Sequence, residues 1–321
     1  MWWAIWKFLL VLGLMALMAG CQPFPPPPLS PSPSAKGLRV LAVETFLADI
    51  AQNVAGERLR VEALLPPMAD LHSFEPTPGD VARLAESDVL IINGAGLEHA
   101  LMKLVPETGK PLIIEASAGL KSRVASESEL AGEHEEHEHH EHEEHEGDPH
   151  FWLDPNHVIR YVENIRDGLS RADPDGAAVY AANAEAYIRQ LQELDRWIAA
   201  QVAEIPPERR LLVTDHESFG YFADRYGFRI IGAVVPSFST GASPSAQYLA
   251  QLIEQIKATD VPAIFLESSS NPQLAEQIAR ETGARVVTEL YSHSITDAHG
   301  PAPTYIEMMS YNTRVIVEAL R

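Results

Sequence analysis

Two features of this sequence could bind a metal ion. One is a dense run of histidine and glutamate, and the other is a set of separate histidines. The run from Glu133 to Glu146 contains only these two residue types. Its histidines are His134, His137, His139, His140, His142 and His145. His150 follows within Asp148–Pro155, a segment of turn formers and large apolar residues. Imidazole binds zinc well and carboxylates attract any cation, so we interpret this stretch as a loose metal-gathering loop attached to a fixed ligand, His150.

The same run has a plainer interpretation as a solvated acidic segment without a metal role. We expect it to be both disordered and functional, with several weak sites instead of one rigid site. Neighbouring glutamates raise the pKa of histidines, so protons compete with metal there. We expect the loop to capture or sense zinc and to be dispensable for the principal site.

Three further histidines follow segments that could hold an imidazole in place. His72 lies in the proline-rich segment Pro66–Pro78, which is stiff because proline fixes its own backbone angle. His216 follows the predicted strand Arg210–Thr214, and His293 follows the last predicted strand. In parallel α/β sheets, ligands bind outside the carboxyl ends of the strands. A lone histidine in a loop is more often simply exposed, so spacing alone leaves these positions open.

Alternating strand and helix patterns predict an α/β fold with two parallel-sheet lobes. The first lobe has predicted strands at 38–43, 59–64, 88–92 and 112–114, with helices at 46–54, 79–86 and 97–104. The second has predicted strands at 210–214, 228–231, 263–266 and 285–287, with helices at 244–257, 272–282 and 304–320.

One long helix is predicted between the lobes. Asp173 is its predicted N-cap, Pro174 suits its first turn, and the pattern continues to about Glu204. Apolar residues recur at helical spacing at Tyr180, Ala184, Tyr187, Leu191, Leu194 and Ile198. About 30 residues make a rod of roughly 45 Å. A rigid helix that packs on both lobes implies small domain motions; a coiled-coil segment for dimerisation is the alternative.

The N-terminal segment predicts export and anchoring. Lys7 is the only charge in residues 1–20, and the apolar run after it is short for a membrane span. Leu17–Cys21 resembles a bacterial lipobox, which implies cleavage before Cys21 and lipidation of this sole cysteine. The alternative is an uncleaved anchor with a free thiol. The proline-rich residues 21–36 predict an extended linker.

Length and charge set the remaining bounds. The chain has 321 residues and a net charge of −21, so we expect small cations as partners and no nucleic acid. We assign residues 1–20 to the signal peptide, 21–36 to the lipidated linker, 37–172 to the first lobe with a disordered loop at 133–147, 173–205 to the long helix, and 206–321 to the second lobe.

Several motifs together resemble the zinc- and manganese-type solute-binding lipoproteins of metal ABC transporters, the cluster A-I family. These are His72–Pro78, Asn93–Glu98 and Asp148–Pro155, and the resemblance runs in order from about residue 37 to the C-terminus. It implies two lobes joined by a single long helix, with the metal site in the cleft between them. It also implies a metal role for His72 and His150.

The resemblance extends to two positions in the second lobe. The position of His216 is His in zinc-type members and Glu in manganese-type members, so His216 favours zinc. The position of His293 is commonly Asp. A histidine there could complete a four-histidine site, or it could point away and leave a water as the fourth ligand. The implied metal ligands are His72, His150, His216 and His293.

The function implied by the resemblance is a high-affinity, extracytoplasmic zinc receptor anchored to the membrane by lipid. We expect a monomer that passes Zn²⁺, its transported ligand, to a permease and its ATPase, with no chemical step. Manganese or another divalent metal is the alternative cargo, and a zinc buffer or adhesin is an alternative function. A zinc hydrolase ranks last, because it would need an open coordination position and a base such as Glu217 or Glu75.

The remaining metal-binding residue types receive structural interpretations. We expect His99 and His157 on helix surfaces and His299 in a turn. Met308 and Met309 are expected to pack in the core. Glu75 could support the His72 loop by hydrogen bonding.

Overall fold

The computed structural model describes residues 37–69, 72, 74–105, 111–123 and 147–321, all within one compact unit. The predicted signal peptide, Cys21 with its linker, and the six histidines of the Glu133–Glu146 run lie outside the described residues. Predictions about them therefore stay predictions. Within the described ranges, no helix is long and apolar enough to cross a membrane.

The first lobe is built on a four-stranded parallel sheet. Its strands are β1 (Val40–Ala42), β2 (Val61–Ala63), β3 (Val89–Ile92) and β4 (Leu112–Glu115), in the spatial order β2-β1-β3-β4. Its helices are α1 (Thr45–Ala55), α2 (Pro78–Glu86) and the short α3 (His99–Met102). The helix predicted at 97–104 is shorter in the structure, and it follows a run of positive φ angles at Gly94, Ala95 and Gly96.

The second lobe repeats this arrangement. Its strands are β5 (Leu211–Thr214), β6 (Arg229–Ala233), β7 (Ala263–Glu267) and β8 (Arg285–Leu290), in the parallel order β6-β5-β7-β8. Two long helices, α4 (Pro155–Ala172) and α5 (Ala177–Val202), precede it, and α6 (Gly220–Tyr226), α7 (Ala246–Thr259), α8 (Gln273–Thr282) and α9 (Tyr305–Leu320) belong to it. The predicted α/β fold with two parallel-sheet lobes is confirmed.

Helix α5 contacts elements of both lobes. It packs against α1 and α4, which precede it in the chain, and against α6 and α9, which follow it. Its buried residues are Tyr180, Ala184, Tyr187, Leu191, Leu194, Ile198 and Val202, which include all six predicted positions. With 26 residues it is about 39 Å long. Its role as a rigid connector and the domain boundaries at 173 and 205 stay predictions.

The prediction that the Asp173 side chain caps the long helix is wrong. A short 3-10 turn, Pro174–Gly176, precedes α5, and the Asp173 side chain makes no capping hydrogen bond. Its carboxylate instead accepts hydrogen bonds from the buried guanidinium of Arg58 and from the Tyr180 hydroxyl. Leaving the buried charge of Arg58 unpaired would cost more free energy than leaving the helix end uncapped. The Asp173 carboxylate therefore binds Arg58.

Trp152 fixes the segment that carries His150 to both lobes. Its ring is fully buried and stacks on Phe46 of α1, with 4.5 Å between the ring centroids. Its Nε1 donates to the carbonyl of Ser292 at 2.6 Å, just after β8. Its own carbonyl accepts from the Tyr305 hydroxyl at 2.6 Å, at the start of α9. Apolar packing and two buried hydrogen bonds therefore hold the lobes together beside His150.

Two carboxyl groups are buried together in the first lobe. Glu44 lies between β1 and α1, Glu98 lies just before α3, and both are almost fully inaccessible. Burial, and then the charge of Glu98, raise the pKa of Glu44 well above 4.5. Burial raises the pKa of Glu98 to about 7. An acid with a raised pKa binds more protons in the folded state, so the free energy of unfolding falls as pH rises above the unfolded pKa of about 4.3.

Replacement of Glu44 by its neutral isostere should therefore stabilise the protein in a pH-dependent way. We expect Glu44→Gln to raise the free energy of unfolding in urea by about 1 kcal/mol or more at pH 8, because the buried carboxyl must ionise there in the wild-type protein. The gain should be smaller at pH 5. The exposed Glu57→Gln variant is the control and should change neither value. An equal gain for Glu44→Gln at both pH values would contradict a raised pKa for Glu44 in the folded protein.

Candidate metal centre

Four histidines converge where the two lobes meet. His72 follows β2 and His150 follows β4 in the first lobe, while His216 and His293 follow β5 and β8 in the second. One ring nitrogen from each lies within 4.8 Å of those from the other three. The structure therefore brings all four predicted ligands together, two from each lobe.

The spacing of the ring nitrogens suits a single small cation. The Nε2 atom of His293 lies 3.2 Å from Nε2 of His72 and 3.1 Å from Nε2 of His150. A tetrahedral zinc ion with Zn–N bonds of about 2.0–2.1 Å places its nitrogen ligands about 3.3 Å apart. These two distances are close to that value, so the rings of His72, His150 and His293 need little movement to share one ion, and the ring of His216 lies near enough to join them.

Buried carboxylates hold the opposite nitrogens of three of these rings. The pairs, measured from Nδ1 to the nearest carboxylate oxygen, are His150 with Asp148 at 2.8 Å, His216 with Asp215 at 3.1 Å, and His293 with Glu267 at 2.7 Å. A neutral imidazole has one N–H, and a carboxylate acceptor draws that proton to Nδ1. Nε2 then keeps its lone pair, and three such lone pairs are available at the centre.

An aspartate just before the histidine positions two of the four rings in the same way. One oxygen of Asp148 accepts hydrogen bonds from both the backbone N–H of His150, at 2.9 Å, and its ring Nδ1. One oxygen of Asp215 does the same for the backbone N–H of His216, at 3.0 Å, and its ring. A short aspartate next to the ligand thus fixes the backbone turn and the ring at once.

The surroundings keep the imidazole of His150 neutral. His150, His216 and His293 are buried, and His72 is half-buried. The Trp152 ring lies 5.2 Å from the ring of His150 and 5.6 Å from that of His293. Burial, and then the nearby histidines, lower the pKa of His150 well below 6.5, so its neutral, metal-binding form predominates at pH 7.

The supporting carboxylates have different protonation properties. Burial raises the pKa of Asp148 to about 8, against the opposing hydrogen bond from the backbone of His150. Without a metal this carboxyl group is therefore largely protonated at pH 7, and its Oδ1 accepts the ring N–H of His150 only when its own proton is on Oδ2. Burial also acts to raise the pKa of Asp215, but the positive charge that His216 carries when it is protonated, and hydrogen bonds from His216 and Ser270, outweigh it and lower the pKa to about 2. Asp215 is therefore an anion at neutral pH and a strong acceptor for the ring of His216.

A cavity formed mostly by the second lobe lies beside the centre. A cavity of about 540 Å³ is lined by Asp215, His216 and Glu267, together with Met68 from the first lobe. A larger cavity of about 740 Å³ lies beside α1 and Phe74, and none of the four histidines lines it. The size of a cavity is therefore a poor guide to the site here, whereas the convergence of donor atoms is a direct one.

The sequence predictions missed the three supporting carboxylates. Glu75, for which the sequence predicts a supporting role, is exposed. Asp148 and Asp215 stand two and one residues before a ligand, a signal that could have identified them. Glu267 ends β7 and has only its position at a carboxyl strand end to mark it.

The other histidines and methionines follow their structural interpretations with one exception. His99 and His299 are exposed, and Met308 and Met309 are buried in the core. The prediction of a surface position for His157 is wrong, because its ring is half-buried. It packs 5.1 Å from the ring of Tyr221 and 5.7 Å from that of Phe151.

Comparison with known proteins supports the same interpretation. Residues 40–319 match the family described as zinc-uptake complex component A, periplasmic. The chain is 32% identical over 312 residues to the manganese-binding lipoprotein MntA of Halalkalibacterium halodurans, which covers 97% of this chain and 96% of that protein.

Solved structures share the fold and the chain length. The manganese-bound periplasmic metal-binding protein from Candidatus Liberibacter asiaticus superposes with a TM-score of 0.76 at 28% identity, over 89% of this chain and 100% of that one. The periplasmic zinc-binding protein TroA from Treponema pallidum gives a TM-score of 0.75 at 28% identity, over 88% and 99%. The chain therefore belongs to the zinc-uptake component A family, and it is a metal-binding receptor of an ABC importer and not an enzyme.

Proposed function

We propose that this receptor carries zinc with high affinity, held by His72, His150, His216 and His293. The observation that carries the proposal is the convergence of four imidazoles, three of which have Nδ1 bonded to a carboxylate. Neutral imidazole suits zinc, a borderline-soft ion, whereas manganese prefers oxygen ligands. Four protein donors complete a tetrahedral shell and leave no coordination position for a reacting water, which suits a cargo site.

Manganese is the competing cargo. MntA and the protein from Candidatus Liberibacter asiaticus are both described as binding manganese. Oxygen donors are also at hand, because ligand atoms of Asp215, His216 and Glu267 lie within 4.8 Å of one another. Against manganese, oxygens of Asp215 and Glu267 are already engaged with the Nδ1 atoms of the ligand rings, so the atoms that face the centre are nitrogens.

Delivery and location form the rest of the proposal. The receptor would pass Zn²⁺ to a membrane permease driven by an ATPase, acting as a monomer outside the cytoplasm. Lipid on Cys21 would anchor it, with residues 21–36 as a linker, and the relative MntA is itself described as a lipoprotein. The net charge of −21 favours cations and disfavours nucleic acid.

We assign the histidines at 134, 137, 139, 140, 142 and 145 an auxiliary role in gathering metal. The two ends of the segment that contains them meet beside the centre. Asp148 donates its backbone N–H to the carbonyl of Arg123 at 3.1 Å, and Asp148 also supports the ring of His150. Metal attracted to the acidic segment would thus be concentrated near the principal site without being part of it.

A count of bound metal tests the ligand set. Residues 36–321 without the segment 133–146 should bind one zinc ion tightly, as measured by native mass spectrometry. His216→Ala should lose this ion, because it removes one donor and leaves the other imidazoles without a closed shell. His293→Ala should weaken the binding of this ion. His299→Ala, which removes an exposed histidine, is the matched control and should retain full binding.

Two outcomes of this count would overturn parts of the proposal. Loss of tight binding on removal of 133–146 alone would make that segment the binding element. Unchanged binding in His293→Ala would show that a water, and not His293, completes the coordination shell.

The donor type at position 293 should contribute to the choice between zinc and manganese, in addition to the donor type at position 216. We expect His293→Asp to shift the ratio of zinc to manganese affinity towards manganese by about tenfold or more, equivalent to about 1.4 kcal/mol. His293→Asn is the matched control, since it removes the imidazole without adding a charge, and it should weaken zinc without strengthening manganese. Competition titration of both metals measures the ratio, and an unchanged ratio in His293→Asp would count against selectivity by donor type.

A further inference from the structure

The first-lobe segment before His72 forms a tight turn with an unfavourable residue at its key position. In Pro66–Ala69 the N–H of Ala69 donates to the carbonyl of Pro66 at 3.2 Å, and Met68 has a φ angle of +67°. Proline at the second position and positive φ at the third define a type II turn, which favours glycine or asparagine at the third position. Methionine has a Cβ, so the left-handed conformation of Met68 is strained and needs outside support.

That support comes from the second lobe. The backbone N–H of Met68 donates to Oγ of Ser294 at 2.8 Å. Ser268, in the loop after β7, donates its hydroxyl to the Met68 sulfur over 4.0 Å. The turn is therefore held across the cleft by the residue next to the ligand His293.

The hydroxyl of Ser294 is fixed by a complete set of partners. It lies 3.0 Å from Oγ1 of Thr45, which itself accepts the N–H of Ile295 at 3.0 Å. Thr45 donates its own proton to Ser294, because the proton of Ser294 is used elsewhere. The Ser294 proton goes to the carbonyl of Ile295 at 2.8 Å, which leaves a lone pair for Met68. The acceptor for the strained turn is buried and correctly oriented.

The turn limits where His72 can be. His72 follows Ala69 by three residues, a chain length that spans at most about 10 Å. His72 is also the least buried of the four histidines, so it is the ligand whose movement would open the site to solvent. A break between Met68 and Ser294 would free the turn to relax from its left-handed conformation and would carry His72 with it.

We propose that the turn Pro66–Ala69 and Ser294 form an inter-lobe latch that positions His72 and sets the rate of metal release. The inference rests on the proposed zinc site and adds positioning residues to it. The strain at Met68 favours the open turn, and the hydrogen bond to Ser294 favours the closed one. The balance between these two determines how often His72 leaves the metal.

The hydrogen-bond half of the latch is tested by removing the acceptor. Zinc-loaded protein is mixed with excess chelator, and the first-order release rate is followed. Ser294→Ala should release zinc about three- to tenfold faster, the range that one hydrogen bond supports. Ser294→Thr keeps the hydroxyl and should restore a slow rate. Ser170→Ala removes a comparable hydroxyl-to-carbonyl bond on α4 and should leave the rate unchanged.

The strain half is tested at Met68, where three replacements differ in their tolerance of positive φ. Met68→Ala removes the thioether but keeps the Cβ, and it sets the reference rate. Met68→Asn should release zinc about threefold or more slowly than this reference, because asparagine tolerates the left-handed region. Met68→Val should release it about threefold or more faster, because a β-branched residue is poorly tolerated there.

The outcomes separate the latch from the zinc site itself. Every variant should bind one zinc ion tightly per chain, and release should be fastest in Met68→Val, intermediate in Met68→Ala and slowest in Met68→Asn. Equal rates in the Met68 series, or a wild-type rate in Ser294→Ala, would overturn the latch while leaving the zinc site intact. Failure of the wild-type chain to bind one tight zinc would instead overturn the proposed function, and the latch with it.

Discussion

Hydrogen bonds from imidazole Nδ1 atoms to buried carboxylates determine what this cleft can bind. Each one fixes which nitrogen carries the proton and how the ring is oriented. Without them, neutral imidazoles about 3 Å apart would share protons with each other and not present lone pairs to a common point. Burying Asp148, Asp215 and Glu267 costs free energy, and that cost is offset by these hydrogen bonds and, in the loaded protein, by the charge of the ion.

The rest of the architecture keeps two pairs of ligands in register. His72 and His150 belong to one lobe and His216 and His293 to the other, so a relative shift of about 1 Å would spoil tetrahedral spacing at bond lengths of about 2 Å. Trp152 opposes such a shift, since it bonds to Ser292 and Tyr305 of the second lobe and stacks on Phe46 of the first. Helix α5 contacts helices of both lobes along its length. Metal entry and exit are therefore expected to occur through loop movement and not through wide opening of the lobes.

Much of this could be predicted from the sequence because it depends on local patterns. The alternation of buried strands and helices fixed the fold class, and the apolar spacing from Tyr180 to Ile198 identified the buried face of α5. The four histidines were identified through motif resemblance and their positions after strands. Each of these signals lies within a few residues of the feature that it predicts.

The remainder depends on contacts between distant residues, which no local pattern reports. Glu267 accepts a hydrogen bond from His293, 26 residues away in the chain. The Asp173 carboxylate binds Arg58, 115 residues away, instead of capping α5. The half-buried environment of His157 is created by Tyr221 of the other lobe. The positive φ of Met68 could not be predicted either, because a methionine is disfavoured there and only the hydrogen bond from its N–H to Ser294 explains it.

The most direct test of the central claim is a crystal structure of the protein loaded with one equivalent of zinc, with data collected at the zinc absorption edge. The account predicts one anomalous peak bonded to Nε2 of His72, His150, His216 and His293 at about 2.0–2.1 Å, with no water in the coordination shell. A peak bound by three imidazoles and a water, or one bound by the carboxylates of Asp215 and Glu267, would contradict it.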